Sequence, residues 1–152
     1  MKISSTAFKE GGMIPKKYTC DDVNVSPPLT FEGVPVDTKG LALIADDPDA
    51  PVGTWVHWVI FNILPATKSL PENVPFDKVL TSGARQGIND FRKIGYGGPC
   101  PPGGTHRYFF KLYALDSELK LNAGISKKDL LNAMRGHILT ETQLMGKYKR
   151  QH

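Results

Sequence analysis

Cysteine is scarce in this chain of 152 residues: there are two, Cys20 and Cys100. Two cysteines make no disulfide framework of the kind that staples small secreted domains. Free thiols in a reducing compartment are the expectation, and a single Cys20–Cys100 bridge stays open as the alternative. No apolar run is long enough to span a membrane, and the opening MKISSTAFKEGG has no apolar stretch of the secretory type. A soluble, cytoplasmic protein without a transmembrane segment is therefore expected. Charge of one sign is not concentrated either. The net charge is +4, and the densest basic runs are Lys16-Lys17, Lys127-Lys128 and residues 147–150. These form neither a stripe nor a recognisable nucleic-acid module, so no nucleic-acid partner is expected. Internal repeats and linkers are missing. So are the HExxH, CxxC and GxSxG patterns that announce metal, thiol-redox and serine chemistry.

What is present is a single domain, 1–152, of ordinary globular composition, 40% hydrophobic and 22% charged. A chain of this length can bury a core without covalent help. The periodicity is mostly that of strands. Residues 40–45 (GLALIA), 54–63 (TWVHWVIFNI) and 105–115 (THRYFFKLYAL) are the strongest candidates. Residues 3–7, 29–31 and 80–85 are weaker ones. Pro/Gly-rich connections at 26–29, 47–53 and 95–104 read as loops, because proline cannot donate to a sheet ladder. One helix is expected. It starts at the N-cap Ser126 with Asp129 three residues on, and carries Leu130, Leu131, Met134, Ile138 and Leu139 at helical spacing. Gly136 should bend it or end it early.

Side chains on a strand alternate between faces. His106, Tyr108, Phe110 and Leu112 should share one face, placing an imidazole and a phenol together at the mouth of a Pro/Gly loop. His57 should share a face with Trp55, Val59 and Phe61, a polar ring in apolar company that needs a partner. Carboxylates are at hand in the run Asp46-Asp47-Pro48-Asp49-Ala50-Pro51. Taken alone, Asp47 and Asp49 read as residues that cap their own turn, and His57 as a satisfied core histidine.

DPDAP (47–51), then WVHW (55–58), then GPCPPGGTHRY (98–108), in this order, resemble the phosphatidylethanolamine-binding protein family. That family's hallmarks are an Asp-Pro-Asp-x-Pro loop and a Gly-x-His-Arg strand start. The segments YTCDDVNVSPPL (18–29) and GHILTETQLMGKY (136–148) resemble its bacterial and archaeal, Raf-kinase-inhibitor-like branch. The resemblance implies a mostly β fold, an antiparallel Greek-key sandwich with a few short peripheral helices. It also implies a binding protein rather than an enzyme, with no cofactor and a small pocket for phosphate-like or carboxylate-like anions. Carried over by position, Asp47, His57, His106 and Tyr108 would form that pocket and Gly98 and Pro99 its wall. Asp49 and Pro51 would shape the loop, and Arg107 would tie neighbouring loops together. A protein kinase or serine protease is the implied class of protein partner. The contrasting expectation is a hydrolase on the same cluster. It would be either metal-dependent, through Asp47, Asp49, His57 and His106, or cysteine-dependent, through Cys100 and His106.

Overall fold

The computed structural model describes residues 1–150. In chain order the strands are β1 (Lys2–Ser4), β2 (Leu29–Glu32), β3 (Gly40–Asp47), β4 (Trp55–Ile63), β5 (Ser69–Leu70), β6 (Arg85–Gln86), β7 (His106–Leu115) and β8 (Ile138–Tyr148). A helix, α1 (Lys127–Met134), lies between the last two. The strands form two antiparallel sheets: a small one in the order β1-β2-β5 and a large one in the order β6-β4-β3-β7-β8. The expected mostly β, two-sheet architecture is what the chain adopts.

β3 explains the layering. Every one of its residues is buried, so the large sheet must be covered on both faces. Leu41, Leu43 and Ala45 point to a core shared with Ile3, Leu29 and Phe31 of the small sheet. Ala42 and Ile44 point the other way, to a second core under Leu130 and Met134 of α1. Two-residue alternation thus feeds two cores from one strand.

β4 departs from that simple alternation twice. Ala45 and Asp46 are adjacent on β3, yet they pair with Trp58 and Val56, so His57 is an extra residue on β4. A second extra residue falls between Ile60 and Ile63, where Asn62 adopts a left-handed φ of 54°. Such bulges shift the phase of everything beyond them. Val56, Val59 and Phe61 consequently lie in the core under α1, and Trp58 and Ile60 in the core between the sheets. The expected face shared by His57, Val59 and Phe61 is corrected by the first bulge. His57 leaves the ladder and turns to the sheet end.

Three other expectations are corrected. α1 begins as read, with the Ser126 hydroxyl accepting from the Asp129 amide at 3.2 Å, but it ends at Met134. Gly136 takes φ +82°, a left-handed turn that suits glycine. Ile138 and Leu139 therefore do not extend the helix; they open β8, which fills the free edge of β7 along its whole length. Gly146 of β8 is needed for close packing, because a Cβ there would meet Ile14 Cγ1 at 2.6 Å. Of residues 80–85, only Arg85 joins a strand. Finally, the free-thiol expectation is overturned. Cys20 and Cys100 form a disulfide with Cα atoms 5.4 Å apart, well within bridging distance. Their separation of 80 residues gave the sequence no hint of that proximity.

Candidate functional site

The C-terminal end of β3, the bulge on β4 and the start of β7 meet at one end of the large sheet. Strand pairing brings them there: Asp46 and Asp47 pair across to Val56 and Trp55, and Asp46 also pairs with Phe109 of β7. A small cavity of about 220 Å³ opens at this junction. Asp47, His57, His106 and Tyr108, the four residues expected to converge, all line it, as does Pro51.

Each of the four is held differently. The Asp47 carboxylate accepts from His106 Nδ1 at 2.7 Å and from the Asp49 amide at 2.7 Å, so both its oxygens are engaged. The second bond is an Asx turn that starts the 47–53 loop. A carboxylate only accepts, so His106 carries its proton on Nδ1 and leaves Nε2 for the cavity. His57, freed from the ladder by its bulge, pairs twice with Gly97. Its carbonyl accepts from the Gly97 amide at 2.9 Å, and its Nδ1 donates to the Gly97 carbonyl at 2.6 Å. Here too Nδ1 carries the proton and Nε2 is left over. Burial pushes the His57 pKa below its usual 6.5; the Gly97 carbonyl and then the nearby Asp47, Asp46 and Asp90 offset part of that.

The Tyr108 ring meets the His57 ring edge to face, with centroids 5.2 Å apart. Its hydroxyl is buried and has no hydrogen-bond partner among the described residues, although the residue is only 3% exposed. Burial, with Asp47 and Asp49 nearby, raises its pKa far above the usual phenol range. It therefore stays a neutral O–H donor at any ordinary pH.

The rim is set by Asp49 and Arg107. Arg107 donates from Nε and Nη2 to the Asp49 carboxylate at 2.9 and 2.8 Å, and its backbone amide adds a third bond at 2.9 Å. This fork ties the 47–53 loop to the first turn of β7, as the sequence suggests. The same contacts lower the Asp49 pKa to about 2.

Gly98 and Pro99 do not line the cavity. Gly98 packs behind it, so close that a Cβ would overlap the Tyr18 carbonyl, and donates its amide to Asn24 Oδ1 at 2.8 Å. Pro99 offers its carbonyl to the Cys20 amide at 3.1 Å. The wall is built instead by Cys100, Pro101 and Pro102 on one side and by Trp55 and Phe91 on another. Phe91 carried no sequence signal. It lies in a turn organised by Asn89, whose Oδ1 accepts from the Phe91 and Lys93 amides at 2.9 and 3.2 Å. Among the described residues, no group of three or more His, Cys, Asp or Glu is placed to hold a metal ion. Cys100 is bonded to Cys20, so in this form it is not a thiol nucleophile.

Comparison with known proteins bears on the family and the fold. The family model for phosphatidylethanolamine-binding protein matches residues 4–149. A UPF0098 protein of Methanothermobacter thermautotrophicus is 56% identical over 150 residues, covering 99% of each chain. One from Aquifex aeolicus is 51% identical over 154 residues, covering 99% of this chain and 89% of the relative. Among solved structures, the phosphatidylethanolamine-binding protein homologue CT736 of Chlamydia trachomatis superposes with a TM-score of 0.91 at 44% identity, covering 98% and 97% of the two chains. E. coli YbcL, described as a member of the mammalian PEBP family, gives 0.89 at 31% identity, covering 99% and 98%. The match runs over almost the whole chain, and so this protein belongs to the phosphatidylethanolamine-binding protein family.

Proposed function

We propose that the cavity is a receptor for a small phosphate-like or carboxylate-like anion and that the protein acts by binding rather than by catalysis. The observation that carries this reading is the Tyr108 hydroxyl. It is a buried donor without a partner, and buried polar groups in folded proteins nearly always have one. Tyr108 lines the cavity, and a ligand oxygen that reached its hydroxyl would supply one. The two unbonded Nε2 atoms of His57 and His106 line the same space.

The tautomers set how binding depends on pH. While either imidazole is neutral, its Nε2 is an acceptor and offers an anion only a lone pair. Once protonated, the same atom donates a charge-assisted hydrogen bond. Anion binding and protonation therefore reinforce each other, and affinity should fall as pH rises. Asp47 is already committed to His106 and the Asp49 amide, so its part is to orient the ring. A cytoplasmic location belongs to this proposal, and the disulfide puts a condition on it, since cytosolic thiol pools keep most cysteines reduced. A kinase or serine protease as protein partner rests on the family resemblance alone.

The test is isothermal titration with inorganic phosphate and with sulfate from pH 5 to 9. Sulfate separates the protein's titration from the phosphate's own ionisation. Wild type should bind best at low pH. Tyr108→Phe and His106→Ala should each weaken binding by about tenfold or more, since a hydrogen bond to a charged group contributes ~1.5–3 kcal/mol. Binding that keeps its strength at alkaline pH, or that both variants retain in full, would overturn the proposal.

A further inference from the structure

A second cavity adjoins the first. Its volume is about 680 Å³, and Phe91 and Cys100 line both. The character of the two differs sharply. The first holds the titratable groups. The second is bounded by Phe76, Phe91, Ile94 and Tyr96, together with the Cys20–Cys100 disulfide. Most of its polar groups are already spent. The Tyr96 hydroxyl donates to the Tyr18 carbonyl at 2.7 Å. The Asn89 amide donates to the Gly95 carbonyl at 2.9 Å, while its oxygen takes the Phe91 and Lys93 amides. Lys93, exposed at the edge, is the cavity's sole cation.

The partition between the two is a built feature. Phe91 lies so close over Gly97 that a Cβ there would meet its ring at 2.5 Å. It touches Trp55 and His57 edge to face, with ring centroids 5.5 and 5.4 Å apart. Phe91 thus borders both cavities. Ligand sites for small molecules usually occupy ~300–1,000 Å³ and are mostly apolar, with a few polar groups that fix orientation. The first cavity alone is below that range, and the two together fall inside it.

We propose that the second cavity receives the organic body of the ligand. On this reading the ligand is an anionic monoester with an alkyl or aryl group that passes over Phe91 onto Phe76 and Ile94. The inference rests on the anion reading of the first cavity. Phe76, more than half exposed at 53% in this state, becomes covered when the tail is bound.

The experiment titrates the protein with inorganic phosphate, methyl phosphate, hexyl phosphate and phenyl phosphate at one pH. The proteins are wild type, Phe76→Ala and Ile94→Glu. Each CH₂ moved fully from water into an apolar site is worth roughly fourfold in affinity. Hexyl or phenyl phosphate should therefore bind at least tenfold more tightly than methyl phosphate. Phe76→Ala and Ile94→Glu should erase most of that gain and leave inorganic phosphate unchanged, which also reports that the variants are folded. The hexyl and phenyl arms tell a chain from a ring. If phosphate binds but the larger esters gain nothing, or if both variants keep the gain, this inference is wrong and the anion reading stands. If no phosphate compound binds wild type, the anion reading fails and takes this one with it.

Discussion

Asp46 and Asp47 are neighbours at the end of β3, both almost completely buried at 1% and 3% exposure, and they have different partners. Alternation sends Asp46 to the side of the sheet covered by α1. There it meets two lysines, Lys127 Nζ at 2.7 Å and Lys111 Nζ at 3.1 Å. Lys127 is the first residue of α1 and Lys111 belongs to β7, so the triad fastens helix to sheet. Asp47 goes to the other side, where it accepts a hydrogen bond from His106 Nδ1 at 2.7 Å. One side of the sheet is thus closed by a helix and fixed charges. The other is covered by the small sheet over most of its length and opens only at this end, into the loop-rimmed cavity. Two adjacent buried carboxylates thus have different surroundings, and the difference is made by what each face meets.

The open end has no helix to brace it, and the disulfide takes that part. It links the segment around Cys20 to the loop whose Cys100, Pro101 and Pro102 wall the cavity. Removing it should produce the largest loss of stability. Closing a loop of 80 residues stabilises by roughly 4–5 kcal/mol in the chain-entropy description. Cys20→Ser with Cys100→Ser should lose about that much in urea unfolding. The fold should nevertheless survive, because the same two segments are also joined by Cys20 N–H to the Pro99 carbonyl and by Tyr96 O–H to the Tyr18 carbonyl. A loss under about 1 kcal/mol would mean that these hydrogen bonds, and not the bridge, brace the open end.

The closed side is probed by stranding Asp46. Lys111→Met with Lys127→Met leaves its carboxylate buried without an ion-pair partner, which typically costs ~3–5 kcal/mol. The low end is expected, since α1 still packs through Leu130 and Met134. The signature is in the pH dependence. The variant should recover toward wild type in acid, as protonation removes the stranded charge. Adding Asp46→Leu should restore most of the stability at neutral pH, because an apolar residue needs no partner. A double variant as stable as wild type at pH 7 would show that the triad is ornamental and would erase the contrast between the two sides.

The same contrast marks what was legible in the sequence. β3, β4 and β7 were readable because each is apolar enough, and rich enough in β-branched and aromatic residues, to announce a buried strand. The four pocket residues were readable because they stand at the ends of those strands in a family-specific order. β8 was not. Only its far end, from Leu144 to Tyr148, is substantially buried, and its first residues continue the helical spacing of α1 by coincidence. The His57 bulge was hidden for a different reason. It depends on Gly97 offering both an amide and a carbonyl to one residue, a contact across 40 positions. Cys100 as part of the pocket wall and Phe91 as a partition are likewise tertiary facts, with no local pattern behind them.

The smallest effect, and the most direct measure of the cavity side, is the acid limb of stability. Burial holds the His57 pKa below 6.5, whereas in the unfolded chain the ring titrates near that value. Above pH 6.5 the ring is neutral in both states and contributes no pH dependence. As pH falls through 6.5 the unfolded state takes up the proton first, so stability declines, and the decline stops once pH passes below the folded pKa. A single proton limits the slope to about 1.4 kcal/mol per pH unit. His57→Asn is the control: its amide nitrogen can donate to the Gly97 carbonyl as Nδ1 does, but it does not titrate. Between pH 6.5 and 5, wild type should lose more stability than His57→Asn. The other histidines are common to both proteins. Adding sulfate should reduce that extra loss, because an anion in the cavity favours the protonated ring in the folded state. Equal acid slopes in the two proteins would place His57 among the purely structural groups.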